Sequence, residues 1–137
     1  LRRLLFFCLL SWGLWGAEDP CSEAFQNDPF PIQIVNQVLE QYNVPAQDWT
    51  AINLSLRRQL ALVDVKVQQK AAQLERNPFN PPRQAVVIGR LKREALIESF
   101  GYVMRQHGIK EKRDIYDMFD AIQDEKAERV WECLRGS

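Results

Sequence analysis

Trp49, Ile52, Leu56, Leu60, Val63, Val67, Ala71 and Leu74 follow one another at steps of three, four, four, three, four, four and three residues. A mean step of about 3.6 is the α-helical repeat, so all eight fall on one stripe; a half-buried strand would alternate instead. Arg57, Arg58, Asp64, Lys66, Gln68 and Gln69 lie away from that stripe. The spacing predicts a helix from about Pro45 to Arg76, roughly 45 Å long at 1.5 Å per residue, with proline tolerated in its first turn. Such a helix needs a second surface to cover its apolar side, either within a bundle or in a coiled coil with another subunit.

The segments around it read the same way. Ile32, Val35, Val38 or Leu39, and Tyr42 predict a short amphipathic helix that Asn43-Val44-Pro45 breaks. Asn77-Pro78-Phe79-Asn80-Pro81-Pro82 stops the long helix, because proline lacks a backbone donor and favours extended chain. A connection this short lets the next helix fold back antiparallel. That helix is expected from Arg83 to His107. It has two apolar stripes, one of Val87, Ile88, Leu91 and Ala95, the other of Leu96, Phe100, Val103, Met104 and His107. Gly101 is a candidate kink or close-packing point. Gly108 followed by apolar Ile109 resembles a glycine helix stop. A last helix, from Lys110 or Asp114 to Leu134, is expected to bury Ile115, Met118, Phe119, Ile122, Val130, Trp131 and Leu134. The fold class is therefore all-α: a small bundle of three long antiparallel helices plus one short N-terminal helix, occupying residues 32–137.

Before this domain the composition changes. Arg2 and Arg3 precede an apolar run, small residues and then Glu18 and Asp19, the order of a secretory signal peptide. Leu4 to Trp15 would reach about 18 Å as a helix, short of the roughly 30 Å core of a bilayer. Residues 1–17 are read as a signal-peptide helix, with an uncleaved anchor as the alternative. Residues 18–31, carrying Pro20, Pro29 and Pro31, are read as an extended lead-in. Cys8 would leave with the leader. Cys21 and Cys133 would remain, and an even pair in an oxidising compartment predicts a disulfide that holds the N-terminal segment to the final helix. The expected location is exported, either periplasmic or secreted.

Charge narrows the function classes. The chain has 18 basic and 18 acidic side chains; without Arg2 and Arg3 the balance is slightly acidic. The basic excess that drives nucleic-acid binding is missing, so no nucleic-acid partner is expected. Charge is nevertheless segregated: residues 83–113 carry a net +5 and residues 114–128 a net −5. Opposed helices could align through these charges, or the charges could meet a partner. The candidate partner-binding residues are Arg90, Lys92 and Arg93 on the basic side, and Asp117, Asp120 and Asp124 on the acidic side.

No catalytic signature emerges. P-loop, dinucleotide fingerprint, nucleophile elbow and metalloprotease helix motifs are all missing. Asp114, Asp117, Asp120 and Asp124 share a helix side but lack the glycine-containing loop of a calcium site. His107, the only histidine, suits a helix end. Asn53-Leu54-Ser55 forms a glycosylation sequon inside the strongest helical stretch, where acceptors are unfavoured. No metal and no cofactor are expected. The function expected is that of an exported, non-enzymatic helical protein acting through protein–protein contacts, as a scaffold, adaptor or chaperone-like factor. The alternatives are a small secreted inhibitor, an immunity factor or a cytokine-like ligand, and after these an envelope hydrolase. A homo-oligomer is compatible with the long stripe. Membrane contact is expected only through an uncleaved leader.

Overall fold

Hydrophobic periodicity, caps and prolines set where helices begin and end. The computed structural model describes residues 19–75 and 84–136. The leader at 1–17 and the proline segment at 77–82 lie outside the described residues. The elements are α1 (Glu23–Asn27), α2 (Ile32–Gln41), a 3-10 turn (Ala46–Asp48), α3 (Trp49–Glu75), α4 (Gln84–Gln106) and α5 (Lys112–Gly136). The described residues are all-α, with no strand among them. They divide into two compact units: one holds residues up to 43 together with those from 120 onward, the other Val44–Phe119.

The first unit corrects the expected extended lead-in. Residues 23–27 form a short helix because Ser22 caps it: the Phe25 amide donates to Ser22 Oγ (3.1 Å), while that hydroxyl donates to the Asp19 carbonyl (2.7 Å). A serine cap meets one of the otherwise unsatisfied donors of a first helical turn. The prolines flank this turn without entering it. α2 begins directly after Pro31 and buries Ile34, Val35, Val38 and Leu39; of the expected stripe Val35, Val38 and Leu39 are buried, Tyr42 is half-buried, and Ile32 is exposed, its place in the core taken by Ile34. Its end is set by Asn43, whose φ of 60° is left-handed and whose amide donates to the Glu40 carbonyl (3.0 Å). Asparagine is among the few residues that tolerate this conformation. Phe25, Phe30 and Ile122 complete the buried apolar set of this unit.

Three attachments hold the C-terminal part of α5 to the N-terminal segment. Cys21 and Cys133 form a disulfide, their Cα atoms 5.6 Å apart and 112 residues apart in sequence. Gln123 Nε2 donates to the Pro29 carbonyl at 2.8 Å. Arg129 Nη2 donates to Gln37 Oε1 at 2.8 Å, and its Nε pairs with Glu125 at 3.1 Å.

In the second unit α3 packs against α4. Ile52, Leu56, Val63 and Val67 of the expected stripe are buried, while Leu74 at its end is 38% exposed. The stripe is thus covered most fully in its first half. At the start of α3, Trp49 Nε1 donates to the Val44 carbonyl (3.0 Å), and Asn53 Nδ2 donates to the Trp49 carbonyl (2.8 Å). The sequon asparagine is consequently buried, with its amide engaged. On α4, Leu96, Phe100, Val103 and Met104 are buried, whereas the other stripe is fully covered only at Ala95 and partly at Val87 and Leu91; Ile88 is exposed. The Phe100 and Phe119 rings meet at 6.0 Å with a 60° tilt, an edge-directed contact favoured by the ring quadrupoles.

The stop after α4 is the glycine motif that the sequence suggests. Gly108 has φ +91°; its amide donates to the Arg105 carbonyl (3.3 Å), and the Ile109 amide donates to that of Met104 (3.0 Å). Those two bonds define a Schellman cap. Gly101, by contrast, is helical. A Cβ there would meet Arg105 side-chain nitrogens at 3.4 Å and Ile115 Cγ2 at 3.5 Å, ordinary contact distances.

The two glycines therefore respond differently to alanine. Gly108→Ala is expected to lower stability by about 1–2 kcal/mol through the left-handed penalty. Gly101→Ala should leave it unchanged or raise it by up to about 1 kcal/mol through helix propensity. Thermal unfolding of both variants tests this, and equal losses would contradict it. Cys133→Ser is expected to cost about 4–5 kcal/mol in the chain-entropy account of so long a loop, a loss that urea denaturation reads directly and that reduction of the parent should reproduce.

Candidate functional site

The rotation of α5 about its own axis determines which of its side chains reach solvent. Successive residues on a helix turn by about 100°, so two residues apart means about 200°. Cys133 and Arg129 are both tied to the N-terminal segment. Trp131 lies two residues from each, so those attachments turn its ring to the opposite side. It is 63% exposed, and Leu134 is 60% exposed. The sequence reading sets both on the apolar side of this helix; the correction follows from its rotation, because Trp131 lies nine residues, about 180°, from buried Ile122, and the anchors act on the Ile122 side. Beside Trp131 runs a groove of about 380 Å³, lined among others by Gln26, Gln123, Lys126, Ala127 and Val130.

This surface is the feature that a list of apolar residues along the last helix misses. Its signal was nevertheless present: a cysteine with a bonding partner, two residues after a tryptophan, fixes the tryptophan outward once the disulfide forms. Large exposed aromatics are enriched among residues that dominate protein interfaces, whereas scattered small apolar exposure carries no such meaning.

The sequence-derived candidates fall in both units. Arg90, Lys92, Arg93 and Asp117 belong to the second, Asp120 and Asp124 to the first. All six are exposed. Arg90 pairs with Glu94 one turn along α4 at 3.4 Å, and Arg113 with Asp117 on α5 at 4.0 Å. Exposed pairs of this kind contribute little to stability. The Arg93 guanidinium carbon lies 5.7 Å from the centre of the Phe119 ring, a cation–π distance. Arg93 therefore covers an aromatic edge of the core as well as presenting charge.

A second groove, of about 430 Å³, lies over Gly101 in the Val44–Phe119 unit, with Glu94, Glu98, Arg105, Lys112 and Tyr116 among its lining residues. It mixes charges of both signs in an open setting. Lys112 Nζ sits 5.8 Å from the Tyr116 ring centre. Among the described residues, no group of three or more histidine, cysteine, aspartate or glutamate side chains is gathered as a metal site. His107, half-buried, occupies the end of α4, its amide bonded to the Met104 carbonyl at 3.0 Å. No described helix is long and apolar enough to cross a membrane.

Fold and surface together define a disulfide-linked protein whose described residues are all-α, with an outward aromatic on α5. Comparison with protein-family models, curated proteins and solved structures finds no match to this chain.

The geometry predicts an inversion of the usual ranking of side chains by size. Trp131→Ala should change unfolding free energy by less than about 0.5 kcal/mol, as for surface positions generally. Arg129→Ala should cost about 1–2 kcal/mol by removing its bonds to Gln37 and Glu125. Urea denaturation of the two variants checks the order, and a larger loss for Trp131→Ala would refute the outward placement.

Proposed function

We propose that this is an exported, non-enzymatic helical protein that works by binding other proteins, as a scaffold, adaptor or chaperone-like factor. One observation carries the reading: a helix anchored by a disulfide presents a large aromatic to solvent. Disulfides persist in oxidising compartments, which supports export, and residues 1–17 have the order of a leader that would direct it. In this reading the three long helices form an antiparallel bundle. The exposed charges Arg90, Lys92, Arg93, Asp117, Asp120 and Asp124 act as alignment elements around an apolar contact, the role in which surface charge serves specificity and encounter rate more than affinity.

Binding is favoured over catalysis by the chemistry of the two grooves. The one beside Trp131 offers apolar area with amide and lysine groups but no nucleophile and base in contact. The one over Gly101 is open and charge-balanced, whereas catalysis is favoured in a site that excludes water.

Fractionation of native cells, with the mature N-terminus and the thiol state determined on the same sample, tests the proposal. The expected product lies outside the cytoplasm, lacks residues 1–17 and has Cys21 and Cys133 oxidised. A reduced, intact chain resident in the cytoplasm would overturn it.

A further inference from the structure

On α5, Asp120, Asp124, Ala127, Trp131 and Leu134 succeed one another at steps of four, three, four and three residues. That is the heptad spacing of a coiled-coil seam. All five are exposed, and all lie in the same unit. The seam therefore runs along one side of an ordered helix for about 21 Å, acidic over its first half and apolar over its second. Glu128 and Arg135, also exposed, flank it.

From this juxtaposition we infer that the seam docks one amphipathic helix of a partner protein, basic towards one end and apolar towards the other, lying antiparallel to α5. The inference rests on the proposed function and specifies its partner. Charge complementarity selects the occupant. A partner with lysine or arginine opposite Asp120 and Asp124, and leucine-sized residues opposite Ala127, Trp131 and Leu134, satisfies both halves. The antiparallel sense follows from helix dipoles: basic side chains are favoured near a helix C-terminus, and an antiparallel partner brings that end to the aspartates. A second copy fits poorly. Parallel pairing sets aspartate against aspartate, and antiparallel pairing buries each copy's aspartates against the other's Trp131 and Leu134, with the attendant desolvation cost. An anionic membrane surface would be repelled by the acids on the same side as Trp131, where interfacial helices instead carry basic residues.

The test uses the full oxidised chain and two labelled synthetic helices. One has leucines at heptad positions in its N-terminal half and lysines in its C-terminal half; the other has glutamates in place of those lysines. Fluorescence anisotropy is expected to show binding of the lysine peptide that weakens with salt, and much weaker binding of the glutamate peptide. Trp131→Ala should reduce affinity for the lysine peptide at least about tenfold. Asp124→Lys should weaken the lysine peptide and strengthen the glutamate peptide. Because these positions are exposed, circular dichroism should show both variants folded. Equal binding of the two peptides, no binding of the lysine peptide, or indifference to Trp131→Ala would overturn the inference. So would Trp131-dependent self-association in light scattering, or Trp131-dependent sedimentation with anionic vesicles. Those results bear on the seam alone; export and thiol state are read separately, so peptide failure with an exported, oxidised chain rejects this partner and leaves the proposed location standing.

Discussion

The Cys21–Cys133 bond closes the side of α5 that also buries Ile122, eleven residues or about 20° away, and the surface chemistry of the C-terminal part of α5 follows from it. Turning Trp131 inward would bury a large apolar side chain, worth about 1.5–3 kcal/mol, but would carry Ile122, about 180° away on the same helix and fully buried, out to solvent. Here the disulfide and the Arg129–Gln37 bond act on the side of α5 away from Trp131, while the Gln123–Pro29 bond acts beside the groove that Gln123 lines with Trp131 and Leu134. Together they hold one orientation in which the apolar residues stay in solvent. The arrangement forgoes apolar burial at the C-terminal end, and a binding surface is the physical use to which such exposure lends itself.

The Val44–Phe119 unit is organised differently. Its order comes from side-chain packing between α3 and α4, the Phe100–Phe119 contact and caps that stop helices at fixed residues. Each device is local or nearly so: Trp49 reaches back to Val44, Asn53 to Trp49, and Gly108 and Ile109 to the last turn of α4. Local closure of this kind needs no covalent link, whereas the other unit is joined by bonds that span 92, 94 and 112 residues.

The same contrast explains what could be read from residue order. The α3 stripe, the Gly108 stop, the break at Asn43 and the Cys21–Cys133 pairing were legible because each depends on periodicity, on one backbone angle or on counting cysteines. The helix at Glu23–Asn27 was obscured by flanking prolines, although Ser22 is a good cap. Trp131 and Leu134 do not continue the stripe of Ile122: they lie about 180° and 120° round the helix from it, so counting them as one apolar side groups residues by hydrophobicity without following the rotation. Of the charged candidates, sequence spacing identified Asp120 and Asp124 but missed that their line continues into Ala127, Trp131 and Leu134.

Hydrogen exchange of the oxidised and reduced protein tests the central claim most directly, because it reports local stability amide by amide. The account predicts that breaking the disulfide raises exchange selectively in α1, α2 and residues 120–136, while the amides of α3 and α4 keep their protection. Unchanged protection of the C-terminal part of α5, or a uniform loss across all helices, would contradict the view that this tether holds one end of the molecule in place.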